Sequence, residues 1–365
     1  MEQRKMSMRV ERLDASGAAA WDAFVRAHPC GHFMQSWAWG AFRAGLGWEP
    51  IRLMAFREDR PCGAMQVLRK RLPGGFAVLC APRGPVADPA DGEVLAALFA
   101  AARRLPGLAA SLRLDPYWTE DAPSALSAAG ALLLPETWSY WNAPKYVFWL
   151  DLDPGLEVLS KRLASSQRSE IRYPAKHGVT FTRGDASDVG AFHALMAETA
   201  RHKGIACHGQ DYYRGLLEGF GALGMADLVF AEFEGKKIAT GLTVRYGDKA
   251  WLMYAASDKD HYHLRANRAL QWEMIRAAAE AGCRRYDFRG TATGNPPDPK
   301  DPGYGVYEFK KSFGPEFVSL VGYCDVVFQP LLHRIFRFAE TRGLPMAYDL
   351  YKKFRTRPGQ ATGKP

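Results

Sequence analysis

Apolar and polar positions alternate along the chain in two similar blocks. Between Pro50 and Pro85 the pattern reads as a strand (Ile51–Phe56), a charged turn (Arg57–Pro61), a strand (Gly63–Leu68), a glycine turn (Gly74-Gly75) and a strand (Ala77–Cys80). Between Asp227 and Ser257 the plan returns as Leu228–Phe233, the turn Glu234–Lys237, Ile238–Arg245, Gly247 and Ala250–Tyr254. Short apolar runs bounded by glycine and charged residues predict antiparallel strands joined by tight turns. A helical segment precedes each meander (Trp37–Leu46, Tyr212–Phe220) and another follows it (Gly92–Leu105, Ala266–Ala281). In the last of these, Leu270, Met274, Ala277 and Ala281 share one helical face and Gly282 supplies the stop. Two meanders with helices in matching places predict two similar α/β units.

The length agrees, because 365 residues exceed what one core usually organises. The pattern divides the chain into a first unit over 1–148, a second over 149–322, and a C-terminal segment over 323–365 whose helices return to the first unit. Pro144–Pro154 reads as the junction, and Leu159–Lys176 as a basic helix carrying Lys161, Arg162, Arg168, Arg172 and Lys176. Ser111–Leu114 and Arg285–Phe288 read as further strands, and Gly290–Gly305 as a long loop of the kind that often serves function. Val306–Phe313 reads as a strand with Val306, Glu308 and Lys310 on one face.

Composition narrows the class. Hydrophobic residues at 47% and charged residues at 24% are those of an ordinary globular chain, which excludes disorder, collagen and coiled coil. No apolar run reaches the length of a spanning helix, and the N-terminal stretch has no apolar core of a signal peptide, so a cytoplasmic protein is expected. Six scattered cysteines, with no CxxC and no Cys/His cluster, predict reduced thiols and no metal site. The net charge of +9 includes five cations in Tyr351–Pro365, a stretch without acids, and points to polyanionic partners: nucleic acid, phosphate or anionic lipid.

The order helix, meander, helix, strand is similar to that of the GNAT-superfamily acetyltransferases, where a Gly-rich turn opening the later helix holds the coenzyme A pyrophosphate. The corresponding turn here is His261-Tyr262-His263-Leu264-Arg265-Ala266-Asn267-Arg268, with side chains at both glycine positions. The first unit offers Asp88-Pro89-Ala90-Asp91-Gly92, with two acids. No coenzyme A, and no other cofactor, is therefore expected. An ordered set of motifs then resembles the FemABX (Fem) aminoacyltransferases. It comprises Phe33-Met34-Gln35-Ser36-Trp37-Ala38-Trp39-Gly40-Ala41-Phe42-Arg43 with Gly47-Trp48, Ala81-Pro82-Arg83-Gly84-Pro85, and Leu114-Asp115-Pro116. Asn267-Arg268-Ala269-Leu270-Gln271-Trp272-Glu273, Tyr286-Asp287-Phe288-Arg289-Gly290 and Tyr307-Glu308-Phe309-Lys310-Lys311-Ser312-Phe313-Gly314 follow in family order. The resemblance implies an α/β fold of two tandem GNAT-like (N-acyltransferase) domains. It also implies transfer of an amino acid from aminoacyl-tRNA to the stem peptide of a peptidoglycan precursor, either UDP-MurNAc-peptide or lipid II. No heptad run marks the coiled-coil arm of some members, so the compact type is expected.

Aminoacyl transfer is attack by an amine on an ester, and a nearby cation stabilises the resulting oxyanion. The resemblance implies that Lys310, beside Phe309, is that cation, and that Asp115 positions the amine or accepts its proton. Arg43 and Arg83 are candidate binders of a diphosphate, suited by the planar guanidinium fork. Tyr212 and Tyr254 match family tyrosines near the stem peptide, but His208 and Leu252 stand where an arginine and a tyrosine would be expected. Trp37, Trp39 and Trp48 are expected in the first core, and the basic helix at the tRNA. Near the C-terminus Leu331, Leu332, Ile335, Phe336 and Ala339 form one apolar face, expected to pack back on the first unit. Met346, Ala347, Leu350, Tyr351 and Phe354 form another, expected with the basic tail at the inner face of the membrane as a peripheral contact. Two other readings fit some of these residues: a GNAT-type N-acyltransferase acting on another amine such as a sugar, and a non-catalytic module binding nucleic acid or membrane. The lost glycines speak against the first, and Lys310 with Asp115 against the second.

Overall fold

The computed structural model describes residues 8–120, 123–135, 144–291 and 295–343. Its first half runs β1 (Met8–Leu13), α1 (Ala18–Ala27), α2 (Trp37–Gly45), β2 (Glu49–Arg57), β3 (Arg60–Arg71), β4 (Phe76–Ala81), β5 (Val86–Ala87), α3 (Gly92–Arg103), β6 (Leu108–Leu114), α4 (Pro123–Ala128) and β7 (Ala131–Leu133). The second half runs β8 (Tyr146–Asp151), α5 (Leu156–Arg162), α6 (Ser165–Lys176), β9 (Thr180–Gly184), α7 (Val189–Lys203), α8 (Gln210–Gly221), β10 (Ala226–Phe233), β11 (Lys236–Tyr246), β12 (Lys249–Ser257), α9 (Ala266–Glu280), β13 (Arg285–Gly290), α10 (Tyr304–Lys311) and β14 (Glu316–Ser319). The chain then crosses back through β15 (Cys324–Val327) and α11 (Pro330–Phe338).

Two sheets result, ordered β1-β2-β3-β4-β6-β15-β7, with β5 on β3, and β14-β8-β13-β12-β11-β10-β9. Each contains one parallel pair, β4 with β6 and β12 with β13, and antiparallel pairs otherwise. A parallel pair needs a crossover, and α3 and α9 are those crossovers, so the repeated helix after each meander is what makes the units alike. The pairing of β12 with β13 stops at Trp251 and Asp287, while β12 continues to Ser257. The two strands part there and leave a cleft.

Three hydrophobic clusters hold the molecule. One lies between α3 and the first sheet, and one between α9 and the second. The third joins the units: Phe33 from the first lies 5.2 Å from the Trp251 ring and 6.3 Å from Phe220 of the second. Buried aromatic pairs at these spacings carry dispersion and quadrupole attraction, so they fix the angle between the sheets and not only their proximity. The Tyr246 hydroxyl adds a hydrogen bond to Asp22 Oδ1 at 2.6 Å across the same junction.

Three details differ from the sequence pattern. Pro144–Pro154 is no linker, because the apolar run Tyr146–Asp151 between the prolines is β8, paired with β13 and β14 in the second sheet; the 148/149 boundary falls inside it. The basic helix is two, broken where Leu163 turns extended (ψ 144°). Val306–Phe313 is the helical end of α10 and the turn after it, not a strand. Tyr307 and Lys310, at i and i+3, are both buried while Val306 is exposed, so the true period is helical. The second C-terminal apolar face and the basic tail lie outside the described residues. Among the described residues no helix is long and apolar enough to cross a membrane.

Candidate functional site

The motifs around Gln35 and Arg83 interlock. Ser36 caps α2 by accepting from the Trp39 amide at 3.0 Å, which turns Gln35 inward. Gln35 Nε2 donates to the Pro82 carbonyl at 2.8 Å, and Gln35 Oε1 accepts from the Gln66 amide at 2.7 Å. A Cβ on Gly84 would meet the Gln35 amide at 2.7 Å, so this glycine is needed for the turn to sit against it. Arg83 itself occupies left-handed space (φ 57°), a strained conformation for a side-chain-bearing residue and one found at functional turns. Its amide donates to Asp115 Oδ1 at 2.8 Å, its Nε stands 3.6 Å from Asp115 Oδ2, and its Nη2 donates to the Pro144 carbonyl at 2.9 Å. Both residues are buried.

Asp115 Oδ2 is buried with no hydrogen-bond partner among the described residues. Burial pushes the Asp115 carboxyl up to about 6, against the pull of the Arg83, Arg289 and Arg113 charges. A buried carboxylate with one free oxygen is expensive, and such groups mark sites where a proton or a donor is to be received.

In the second unit, Asp287 organises the end of β13. Its Oδ2 accepts from the Tyr117 hydroxyl at 2.7 Å and the Trp149 indole at 3.1 Å, and its Oδ1 accepts from the Arg289 amide at 2.5 Å. Tyr117 follows Asp115 by two residues, so this contact registers the Asp115 loop of one unit against Arg289 of the other. Arg289 is also left-handed (φ 57°); its guanidinium touches Met253 Sδ at 3.3 Å and has no carboxylate within ion-pair distance among the described residues. Lys310 reaches the same strand end from α10, where its ammonium donates to the carbonyls of Phe288 at 2.7 Å, of Gly290, and of Arg289 at 3.5 Å. Burial lowers its pKa to about 8.

The parting of β12 and β13 encloses a cavity of about 700 Å³. Tyr254, Gln271, Phe309 and the cations Lys203, Arg289 and Lys310 line it, with no acid among the described lining residues. Phe309 lies under the Arg268 guanidinium at 5.6 Å. Toward the first unit, the Tyr254 hydroxyl donates to that of Tyr212 at 3.3 Å. Tyr212 stacks on His208 at 3.8 Å and meets Phe42 edge-on at 5.1 Å. Arg43 lies over Trp39 and Trp48 at 5.7 and 5.1 Å, so it is a stacked cation and not a solvated one. With burial, its charge lowers the pKa of His208. His208 thus takes the place of the expected arginine by stacking, without adding a charge.

At the α9 N-terminus the positions expected to be glycine carry engaged side chains: Arg265 is ion-paired with Glu170, and Asn267 bonds Ser257 Oγ at 3.1 Å. Arg268 is held by Gln167 and Ser312. The basic helix is partly spent in structure as well, since Arg168 caps α5 through the carbonyls of Lys161 and Leu163, while Arg172 and Lys176 stay exposed.

The structure thus places Tyr254, Phe309 and Lys310 on one cavity of the second unit, with Tyr212 bonded to Tyr254 and Arg83 reaching Pro144 on the cavity wall; Asp115, buried beside Arg83, and Arg43, stacked on Trp39 and Trp48, do not line it. Sequence reasoning quoted Asp287 and Arg289 within a motif but did not assign them to the site. The signal available was an arginine beside glycine at the end of a buried strand.

A family model described as an acetyltransferase (GNAT) domain matches residues 160–311. A lipid II:glycine glycyltransferase of Staphylococcus aureus (strain USA300) is 22% identical over 397 residues, covering 88% of this chain and 94% of that protein. The crystal structure of FemX superimposes with a TM-score of 0.81 at 21% identity, over 89% of this chain and 99% of that one. A tandem GNAT protein from the clavulanic acid biosynthesis pathway gives 0.54 at 14% identity, over 88% and 99%. The fold is therefore two tandem GNAT-like units.

Proposed function

We propose that this Fem-type aminoacyltransferase joins an aminoacyl group carried on tRNA to an amine of the stem peptide of a peptidoglycan precursor. The observation that carries the reading is an acid-free cavity lined by Lys203, Arg289 and Lys310, with the buried Asp115 carboxylate held nearby by Arg83, whose guanidinium reaches the Pro144 carbonyl on the cavity wall. An acid-free, cationic cavity suits the phosphates at the end of an RNA, and the relatives named for transfer to lipid II support the acceptor.

In this reading the acceptor amine attacks the ester carbonyl carbon, and Asp115 Oδ2 takes the proton that the new C–N bond makes acidic. The carbonyl electrons move to oxygen. Lys310 stabilises that oxyanion by exchanging its long contact, the 3.5 Å one to the Arg289 carbonyl, for the substrate oxygen, while Phe288 and Gly290 keep the ammonium in place. Collapse expels the ribose oxygen, which recovers the proton, and leaves the amide. In the same reading Arg43, Tyr212 and Tyr254 contact the acceptor, and Phe309 contacts the donor.

The test compares donors. The purified protein should bind aminoacyl-tRNA with a steep salt dependence and acetyl-CoA hardly at all. Saturable acetyl-CoA binding with acetyl transfer to an amine would replace this reading by that of a cofactor-using N-acyltransferase.

A further inference from the structure

α11 reads Pro330-Leu331-Leu332-His333-Arg334-Ile335-Phe336-Arg337-Phe338, without an acid. One side of it is seated. Leu332 and Phe336 close a small apolar cavity with Leu72, Phe76 and Leu108. Buried His333 reaches Asp325 Oδ2 at 2.8 Å, and Asp325 in turn takes two nitrogens of Arg113, both at 2.9 Å. Glu340 also pairs with Arg113, so a buried ionic network anchors α11 to β15 and β6.

The other side is bare. Leu331, Ile335 and Phe338, at i, i+4 and i+7, are 74%, 59% and 66% exposed, and Leu72, Phe76 and Leu108 extend the apolar surface beside the helix. Single exposed apolar residues need no explanation, but a contiguous patch does. Cations border it: Arg334 is exposed with no ion pair among the described residues, Arg71, which is ion-paired with Glu49 at 3.1 Å, adjoins Leu72, and Arg103 lies over Phe328 just before α11. The sequence beyond carries Lys352, Lys353, Arg355, Arg357 and Lys364. An apolar helix face without acids, flanked by arginines, is built to lie in the plane of a negatively charged interface. Its charge complements an anionic bilayer.

We propose that the outward face of α11, with Leu72, Phe76 and Leu108 beside it, is a docking surface for anionic membranes. Its use, presenting the cleft to a lipid-linked acceptor, rests on the reading above; the binding itself does not. In sedimentation with vesicles of equal parts phosphatidylglycerol and phosphatidylcholine, the full chain is expected to pellet, and with phosphatidylcholine alone to stay in solution. The double variant Ile335→Asp, Phe338→Asp should lose on the order of tenfold in partitioning, and Arg334→Glu a smaller factor, each with an unchanged melting temperature. A wild-type chain that stays in the supernatant, or a double variant that pellets like it, overturns the proposal. So does a double variant that melts far lower, because the face would then be covered by the protein itself. Vesicle binding by a chain that transfers no aminoacyl group upholds the surface and rejects only the acceptor reading.

Discussion

Asp115→Asn should move stability and activity in opposite directions. Burial holds the Asp115 carboxyl at about 6, against an unfolded value near 3.9. Keeping it ionised at neutral pH therefore costs about 3 kcal/mol, at about 1.4 kcal/mol per pKa unit. Between roughly pH 4 and pH 6 the folded state binds more protons than the unfolded one, so this group's contribution to stability is fully present below that window and falls as pH rises through it. Asparagine has the same shape, keeps an oxygen for the Arg83 amide, and carries no charge. The variant should be as stable as wild type near pH 7 or more so, by up to about 3 kcal/mol, with the margin closing toward pH 4. The gain is an upper bound because the Arg83 guanidinium loses its counter-charge. Activity should fall by roughly 100-fold to 10,000-fold in kcat, since an amide cannot take the amine's proton, while the precursor KM changes little. The acid limb of the kcat profile near pH 6 should vanish with it. Urea unfolding near pH 7 and pH 4.5, set beside steady-state transfer across the same range, measures both. If the variant loses stability at neutral pH together with activity, Asp115 is a strut for the Arg83 turn and the catalytic argument is wrong.

Lys310→Met should reduce kcat by about 100-fold or more with precursor affinity nearly intact; Lys311→Met, whose ammonium lies over the Tyr307 ring at 5.4 Å and away from the Phe288–Gly290 carbonyls, should be much milder. Because burial puts the Lys310 pKa at about 8, wild-type kcat should decline as pH rises through that value, and the decline should be absent from the variant's profile. Arg83→Ala leaves the Asp115 carboxylate buried without its cation and should destabilise the fold by about 3–5 kcal/mol in chemical denaturation, more than a surface substitution would. Arg43→Ala, which removes a cation stacked on two tryptophans, should raise the precursor KM with kcat nearly unchanged, and equal losses in both parameters would count against ground-state binding.

The meander strands and crossover helices were legible along the chain, because apolar period and glycine stops are local properties. Leu270, Met274 and Ala277 are buried on one face of α9 as their spacing predicts, and Gly282 follows at φ 81°. Local pattern failed where two periods fit the same few residues. Val306, Glu308 and Lys310 alternate like a strand, but the burial of Tyr307 together with Lys310 makes the segment α10. It failed again at Tyr146–Asp151, where flanking prolines looked like a linker and only the open edges of β13 and β14 make a strand. For the site, motif order singled out Asp115, Arg83 and Lys310, since residue type and sequence neighbours are carried by the chain itself. What each side chain does there depends on groups far away in sequence. Arg83 is buried because Asp115 and Pro144 receive it, Asp115 is raised because the core desolvates it, and Arg289 faces the cavity because Tyr117, in the loop after β6, and Trp149 of β8 lock Asp287. Desolvation and hydrogen-bond pairing are properties of three-dimensional neighbourhoods, so only the tertiary structure decided them.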